Sequence, residues 1–196
     1  MLSFDRMVRA SRLGFLLIAG ALVLAGAPAL ADAPASTVSW HRDKKDPRWV
    51  QGTVTVDSPP DIVWTRIQRV DAWPSMLSDV NRMRVLEHKD TRWKIELETK
   101  TIPYGMLGYD VDTSGPGRTG KLYTDRLGVK VVAQTDVLPG PSPSQSLIVY
   151  SFFIEVSGLP KMLISDEELH KKQEHMVAVT LEDFERTFKP RATAAK

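Results

Sequence analysis

Apolar and polar residues alternate from Trp49 to Val56, and the run is rich in β-branched residues, so it predicts a strand. The period then changes. Ile62, Val63, Ile67 and Val70 fall at helical spacing behind Ser58, a good N-cap, and Pro59-Pro60, which suit a helix start. Residues 71–80, "DAWPSMLSDV", predict a second short helix or turn, with Asp71 as its cap and Trp73, Met76, Leu77 and Val80 on its apolar face. Further on the period returns to two. Strands are expected at Met83–Lys89, Thr91–Thr101, Tyr104–Thr113, Gly120–Arg126, Val129–Leu138 and Leu147–Val156. In the second of these, Trp93, Ile95, Leu97 and Thr99 share one face, while Lys94, Glu96, Glu98 and Lys100 share the other. That is the mark of a sheet with one covered and one wet face. The last run, "LIVYSFFIEV", is apolar on both faces and predicts a central strand. A long helix follows from Ser165-Asp166 to about Phe188, with an apolar stripe of Leu169, Met176, Val177, Leu181, Phe184 and Phe188. Glu168, three residues after Ser165, fits a capping box.

This order predicts one domain, residues 48–188, behind a loosely held arm at 32–47 and ahead of a disordered tail at 189–196. Residues 1–31 read differently. Arg6, Arg9 and Arg12 precede the apolar run Leu13 to Leu24, and Ala29-Leu30-Ala31 supplies an A-x-A site, so a cleaved secretory signal is expected. The run is short for a membrane span. The sequence contains no cysteine, which excludes disulfides and a lipid-modified cysteine. A periplasmic or secreted bacterial location is therefore expected. Of the 26 basic and 24 acidic residues, the signal holds three arginines and Asp5, leaving 23 of each sign. The basic balance belongs to the signal, so charge gives no reason to expect a nucleic-acid partner.

Three segments carry a resemblance to the START-like, or SRPBCC, superfamily. "VTVDSPPDIVWTRI" resembles its first strand and helix opening, and "DAWPSMLSDVNRMRVLE" is similar to its following Trp-Pro turn and strand. "GLPKMLISDEELHKKQEHMVAVTLEDF" resembles the approach to the last helix of lipid-binding START domains. The resemblance implies an α+β helix-grip fold: a curved antiparallel sheet wrapped around a long C-terminal helix, with a ligand cavity. It also implies that the corner Leu159–Ile164 forms a lid, which would explain why Met162, Leu163 and Ile164 are apolar where turn residues are expected. The function implied is a carrier that holds a hydrophobic or amphipathic, lipid-like molecule, with transient membrane contact for ligand exchange. A cyclase or dehydratase acting in the same cavity is the alternative. The candidate cavity wall and lid comprise Trp73, Met76, Tyr104, Met106, Tyr109, Tyr123, Phe153, Leu159, Leu163, Ile164 and Met176. Methionine suits an adaptable apolar wall, and tyrosine adds a polar handle.

Other chemistry finds little footing. "GPGRTG" matches G-x-G-x-x-G, but a strand-like run follows where a phosphate site needs a helix N-terminus, so a hairpin is expected. His170 and His175 are five apart on one helix, about 140° around it, and cannot face one metal. No metal or cofactor is expected. There is no Gly-x-Ser-x-Gly elbow, and no catalytic residue is assigned. For the enzymatic alternative, Tyr109, Asp110, Asp112, Tyr123 and Arg126 are the polar residues on strands that could point inward.

Overall fold

Eight strands form one antiparallel sheet: β1 (Ser39–Arg42), β2 (Trp49–Val56), β3 (Val80–Lys89), β4 (Arg92–Thr99), β5 (Leu107–Gly115), β6 (Thr119–Arg126), β7 (Val129–Pro139) and β8 (Ser146–Val156). Their spatial order is β1-β2-β8-β7-β6-β5-β4-β3, so the sheet is open, with β1 and β3 at its edges. The structure is a computed structural model that describes residues 38–102 and 105–189. The expected signal, the first residues of the arm, Tyr104 and the tail beyond Lys189 lie outside the described residues. The arm differs from expectation in one respect: Ser39–Arg42 pairs with β2 as an edge strand.

The chain leaves β2 near one edge and re-enters the sheet at β3 on the other. It crosses by way of α1 (Pro60–Ile67), a 3₁₀ turn at Val70–Ala72 and the one-turn helix α2 (Trp73–Met76). The expected Ser58 cap is replaced by Pro59, whose carbonyl takes the amides of Ile62 (3.0 Å) and Val63 (3.1 Å). Pro60 at the first helical position has no N–H to satisfy, which lessens the need for a side-chain cap. The "GPGRTG" run forms the turn between β5 and β6. Its Gly120 lies under the Trp64 ring of α1, where an added Cβ would stand 3.4 Å from the indole.

The final helix, α3 (Asp166–Phe188), starts where Ser165 Oγ accepts the Glu168 amide at 3.1 Å. All six residues of its expected apolar stripe are buried. Three polar residues are buried beside them, and two of these tie the helix down. Gln173 donates to the carbonyls of Arg48 (2.6 Å) and Phe152 (2.9 Å) and accepts from Arg42 (3.2 Å). Asp183 accepts the amide and hydroxyl of Ser78 at 2.5 and 2.9 Å, and also bonds Arg186. Thr180 faces the interior. Between these ties the helix passes directly over β2 at Gly52, where a Cβ would collide with the Leu181 side chain and stand 2.8 Å from the Ser39 carbonyl oxygen.

Because the Ser39 carbonyl is backbone and cannot swing away, Gly52→Ala is expected to lower stability by about 1–3 kcal/mol, as overpacking does. A urea titration measures this; an unchanged midpoint would show that α3 does not sit this close to β2.

Candidate functional site

Alternation decides which side chains meet between the sheet and α3. Leu107, Tyr109, Val111 and Thr113 of β5 point inward, as do Tyr150 and Phe152 of β8. From β4 come Leu97 and Thr99, from β6 Leu122, and from β7 Val131, Ala133 and Thr135. Trp73, Met76 and Leu77 close one side, and Met176, Thr180 and Phe184 of α3 form the roof. These residues leave an internal cavity of about 100 Å³. One water needs only about 10–15 Å³ by the same kind of measure, whereas drug-sized sites run to roughly 300–1,000 Å³. The space is therefore real but compact, and three of its walls (Met76, Met176 and the Phe184 ring) are side chains with rotamers to spare.

One end of the cavity is polar. Asp79, at the start of β3, is only 8% exposed. Its Oδ1 accepts both the amide (3.1 Å) and the hydroxyl (2.7 Å) of Thr101. Its Oδ2 is buried and has no hydrogen-bond partner among the described residues. Burial holds the carboxyl above its ordinary value, with the Thr101 bonds and then the nearby His175 and Lys100 side chains pulling partly the other way. Burial also pushes the Tyr109 phenol up to about 12. Tyr150 is raised further, chiefly by its own burial; the Thr180 hydroxyl, Asp79 and Tyr109 are all close enough to act on it. Asp79 and Thr101 also line a shallow outer depression with Lys100, Lys171, Lys172 and His175. The Asp79–Thr101 bonds thus stand in the wall between cavity and solvent. Lys172 reinforces that wall by donating to the Thr101 carbonyl at 3.2 Å.

Of the residues singled out from the sequence, Trp73, Met76, Tyr109 and Met176 line the cavity. Met106 is half-buried and does not line it, and Tyr104 is outside the described residues. Tyr123 falls on the outward register of β6, 41% exposed, with its hydroxyl 3.4 Å from Asp125. Phe153 is buried on the outer face instead: it sits opposite Trp49 and Val132, with the Trp49 ring centroid 5.3 Å away and the Arg48 guanidinium and Lys130 ammonium over its ring. A strand that is apolar on both faces hides its register in the sequence, so the outward side of Phe153 differs from expectation. Asp110 and Asp112 also point outward, Asp112 accepting from Ser114, and Arg126 is exposed beside Gly108.

The corner at 159–164 departs most from expectation. Leu159, Met162 and Leu163 are 78%, 81% and 79% exposed, and only Ile164 is buried, as part of the core rather than the cavity wall. No residue of this corner lines the cavity. Among the described residues there is no cluster of three or more His, Asp or Glu placed to hold a metal ion.

Comparison with protein-family models and with curated proteins gives no match. Solved structures do match. The Zhui aromatase/cyclase from Streptomyces sp. R1128 aligns with a TM-score of 0.62 at 14% identity, over 76% of this chain and 98% of its own. A START superfamily protein from Mycobacterium smegmatis aligns at 0.58 and 14%, over 71% and 96%. The STAR-related lipid transfer protein from Xanthomonas axonopodis aligns at 0.56 and 15%, over 81% and 96%. This chain has the START-like helix-grip fold. Within that START-like fold, Asp79 is the site residue that sequence reading missed: an aspartate between a turn and a strand reads as surface, and nothing local announces that Thr101 will bond it or that Tyr150 will lie close by.

The raised Asp79 value carries a sign. Its contribution to stability is fullest below the ordinary carboxylate value of 3.8 and is lost as pH rises through the higher folded value. Asp79→Asn is therefore expected to raise the melting temperature at pH 7, with the gain shrinking as pH falls toward 4. Scanning calorimetry across that range checks it; a pH-independent difference would contradict the burial of an ionised carboxyl.

Proposed function

We propose that this protein binds a compact apolar or amphipathic molecule in the cavity between the sheet and α3 and carries it through water. The observation behind this reading is a mostly apolar internal cavity with a buried, half-satisfied carboxylate at one end. A side-chain-filled core would have no use for either. The names of the neighbours add support in kind, since a lipid transfer protein and an aromatase/cyclase share the fold. Burying apolar ligand surface at roughly 25 cal/mol per Å² is enough to give such a cavity useful affinity. The cavity's size favours a ring-sized ligand over a two-chain lipid. Export to the periplasm or exterior, expected from residues 1–31, would give the carrier an aqueous gap to cross.

The apolar corner has a place in this reading. Leu127, 80% exposed on the β6–β7 turn, is on a segment tied to the one that leads into Leu159, Met162 and Leu163, because the Ser157 amide donates to the Gly128 carbonyl at 2.7 Å. Large, strongly exposed apolar side chains on these joined turns suit insertion between lipid headgroups better than they suit a lid. Transient membrane contact through this tip would let cargo pass without crossing water.

A second reading is a cyclase- or dehydratase-type reaction in the same cavity. Asp79 favours it, as an inward carboxyl with a raised value beside two buried phenols.

Native mass spectrometry of the protein purified without detergent is expected to show a bound small apolar mass, lost in Met176→Trp, which fills the roof of the cavity. An apo mass that persists after incubation with a mixed lipid and aromatic extract would sink the carrier reading. For the tip, replacing Leu159, Met162 and Leu163 together by serine is expected to weaken flotation with phosphatidylcholine–phosphatidylglycerol vesicles by roughly tenfold or more. Equal flotation of both proteins would rule the tip out as a membrane contact.

A further inference from the structure

The cavity reading leaves one atom unexplained. Asp79 Oδ2 is buried without a partner among the described residues, although its sister oxygen receives two hydrogen bonds from Thr101. An ionised carboxylate offers acceptor positions on both oxygens and no donor. An unused buried acceptor of this kind destabilises the fold unless something else supplies a proton donor. The surroundings keep it in place. The neighbouring Ser78 is anchored by its amide and hydroxyl to Asp183 of α3, and the Lys100 amide donates to the Asp79 carbonyl at 2.9 Å. The backbone that carries the carboxylate is thus held from both the helix and the sheet. Lys121, the other charged residue on the cavity wall, belongs to the outward register of β6 and is no candidate for a partner inside.

The remaining walls restrict what can reach this oxygen. Tyr109, Tyr150 and Thr180 share the cavity lining with Asp79, Tyr150 close enough for the carboxyl to act on it, and much of the rest of the wall is apolar: Trp73, Val131, Ala133 and Phe184. A ligand anion would face the carboxylate directly and be repelled. A purely apolar ligand would leave Oδ2 unpartnered and still buried. An ether or ketone of the same shape offers another acceptor, which does not help. We propose that the cavity selects a compact, ring-sized apolar compound bearing a hydroxyl group, which donates its hydrogen to Asp79 Oδ2. The inference rests on the carrier reading and sharpens it from an apolar cargo to an alcohol or phenol. A site built around such a bond discriminates steeply, because the analogue lacking the hydroxyl leaves the buried group unpaired.

The test uses three probes of nearly one shape, 2-naphthol, 2-methoxynaphthalene and 2-naphthoate, titrated into the intact protein by calorimetry. The quantity read is the ratio of the 2-methoxynaphthalene Kd to the 2-naphthol Kd, compared between the wild type and two variants, Asp79→Asn and Asp79→Ala. That ratio is expected to fall by roughly tenfold or more in both variants, as loss of a hydrogen bond to a charged group does. Binding of 2-methoxynaphthalene itself should be retained, which shows that the variants still fold, and 2-naphthoate should bind the wild type weakest of the three. An unchanged ratio with all proteins binding overturns the hydroxyl assignment and leaves the cavity reading standing. No binding of any probe to the wild type overturns both.

Discussion

Everything in this molecule hangs on how closely one helix is held to one strand. Gly52 removes the side chain that would keep α3 off β2, and Leu181 occupies the space it vacates. Hydrophobic burial alone would let a helix slide on such a surface, because apolar contact is non-directional. The polar ties prevent it. Gln173 engages backbone carbonyls next to β2 and within β8, and Asp183, some ten residues further on, holds the Ser78 backbone and hydroxyl. Two directional anchors at separated points fix both the height and the register of the helix. The cavity is the space left over on the side where the sheet curves away.

The same anchors connect the fold to the site. Asp183 holds Ser78, and Ser78 is followed by Asp79, so the carboxylate's position is inherited from the helix. A carboxyl taken out of water against the pull of solvation is a local cost to stability, and such costs are tolerated where binding or chemistry needs them. The two buried phenols raise the stakes, since in a medium of low polarity a partnered acceptor is strengthened and an unpartnered one is expensive. The site is thus an arrangement whose stability improves on being filled.

Apolar residues play two unlike roles in this chain, and position separates them. Met76, Met176 and Phe184 face inward around the cavity, while Leu127, Leu159, Met162 and Leu163 face water on a pair of joined turns. The first group offers space to a ligand. The second group stays in solvent and takes no part in the cavity wall.

Much of this was legible in the order of residues along the chain. The number and order of the strands from β2 onward, the two short helices and the stripe of α3 follow from periodicities of two and 3.6, which need only local geometry. In β4 the inward set could be read because a single face is covered, so charge marks the other. In β8 both faces are rich in apolar residues, and the outward side of Phe153 became definite only once Trp49 and Lys130 were packed on it. The corner at 159–164 misled for a related reason: composition says that Met162, Leu163 and Ile164 are apolar, not which way a 3₁₀ turn will point them. Asp79 is the extreme case. Thr101, Tyr150 and His175, which act on or with it, come from across the chain, and no pattern within a few residues records that they will meet. Local periodicity determined the elements and the fold they resemble; the packing of α3 over the sheet decided which polar atom would be left facing the cavity, because burial is a property of the whole assembly and not of any segment.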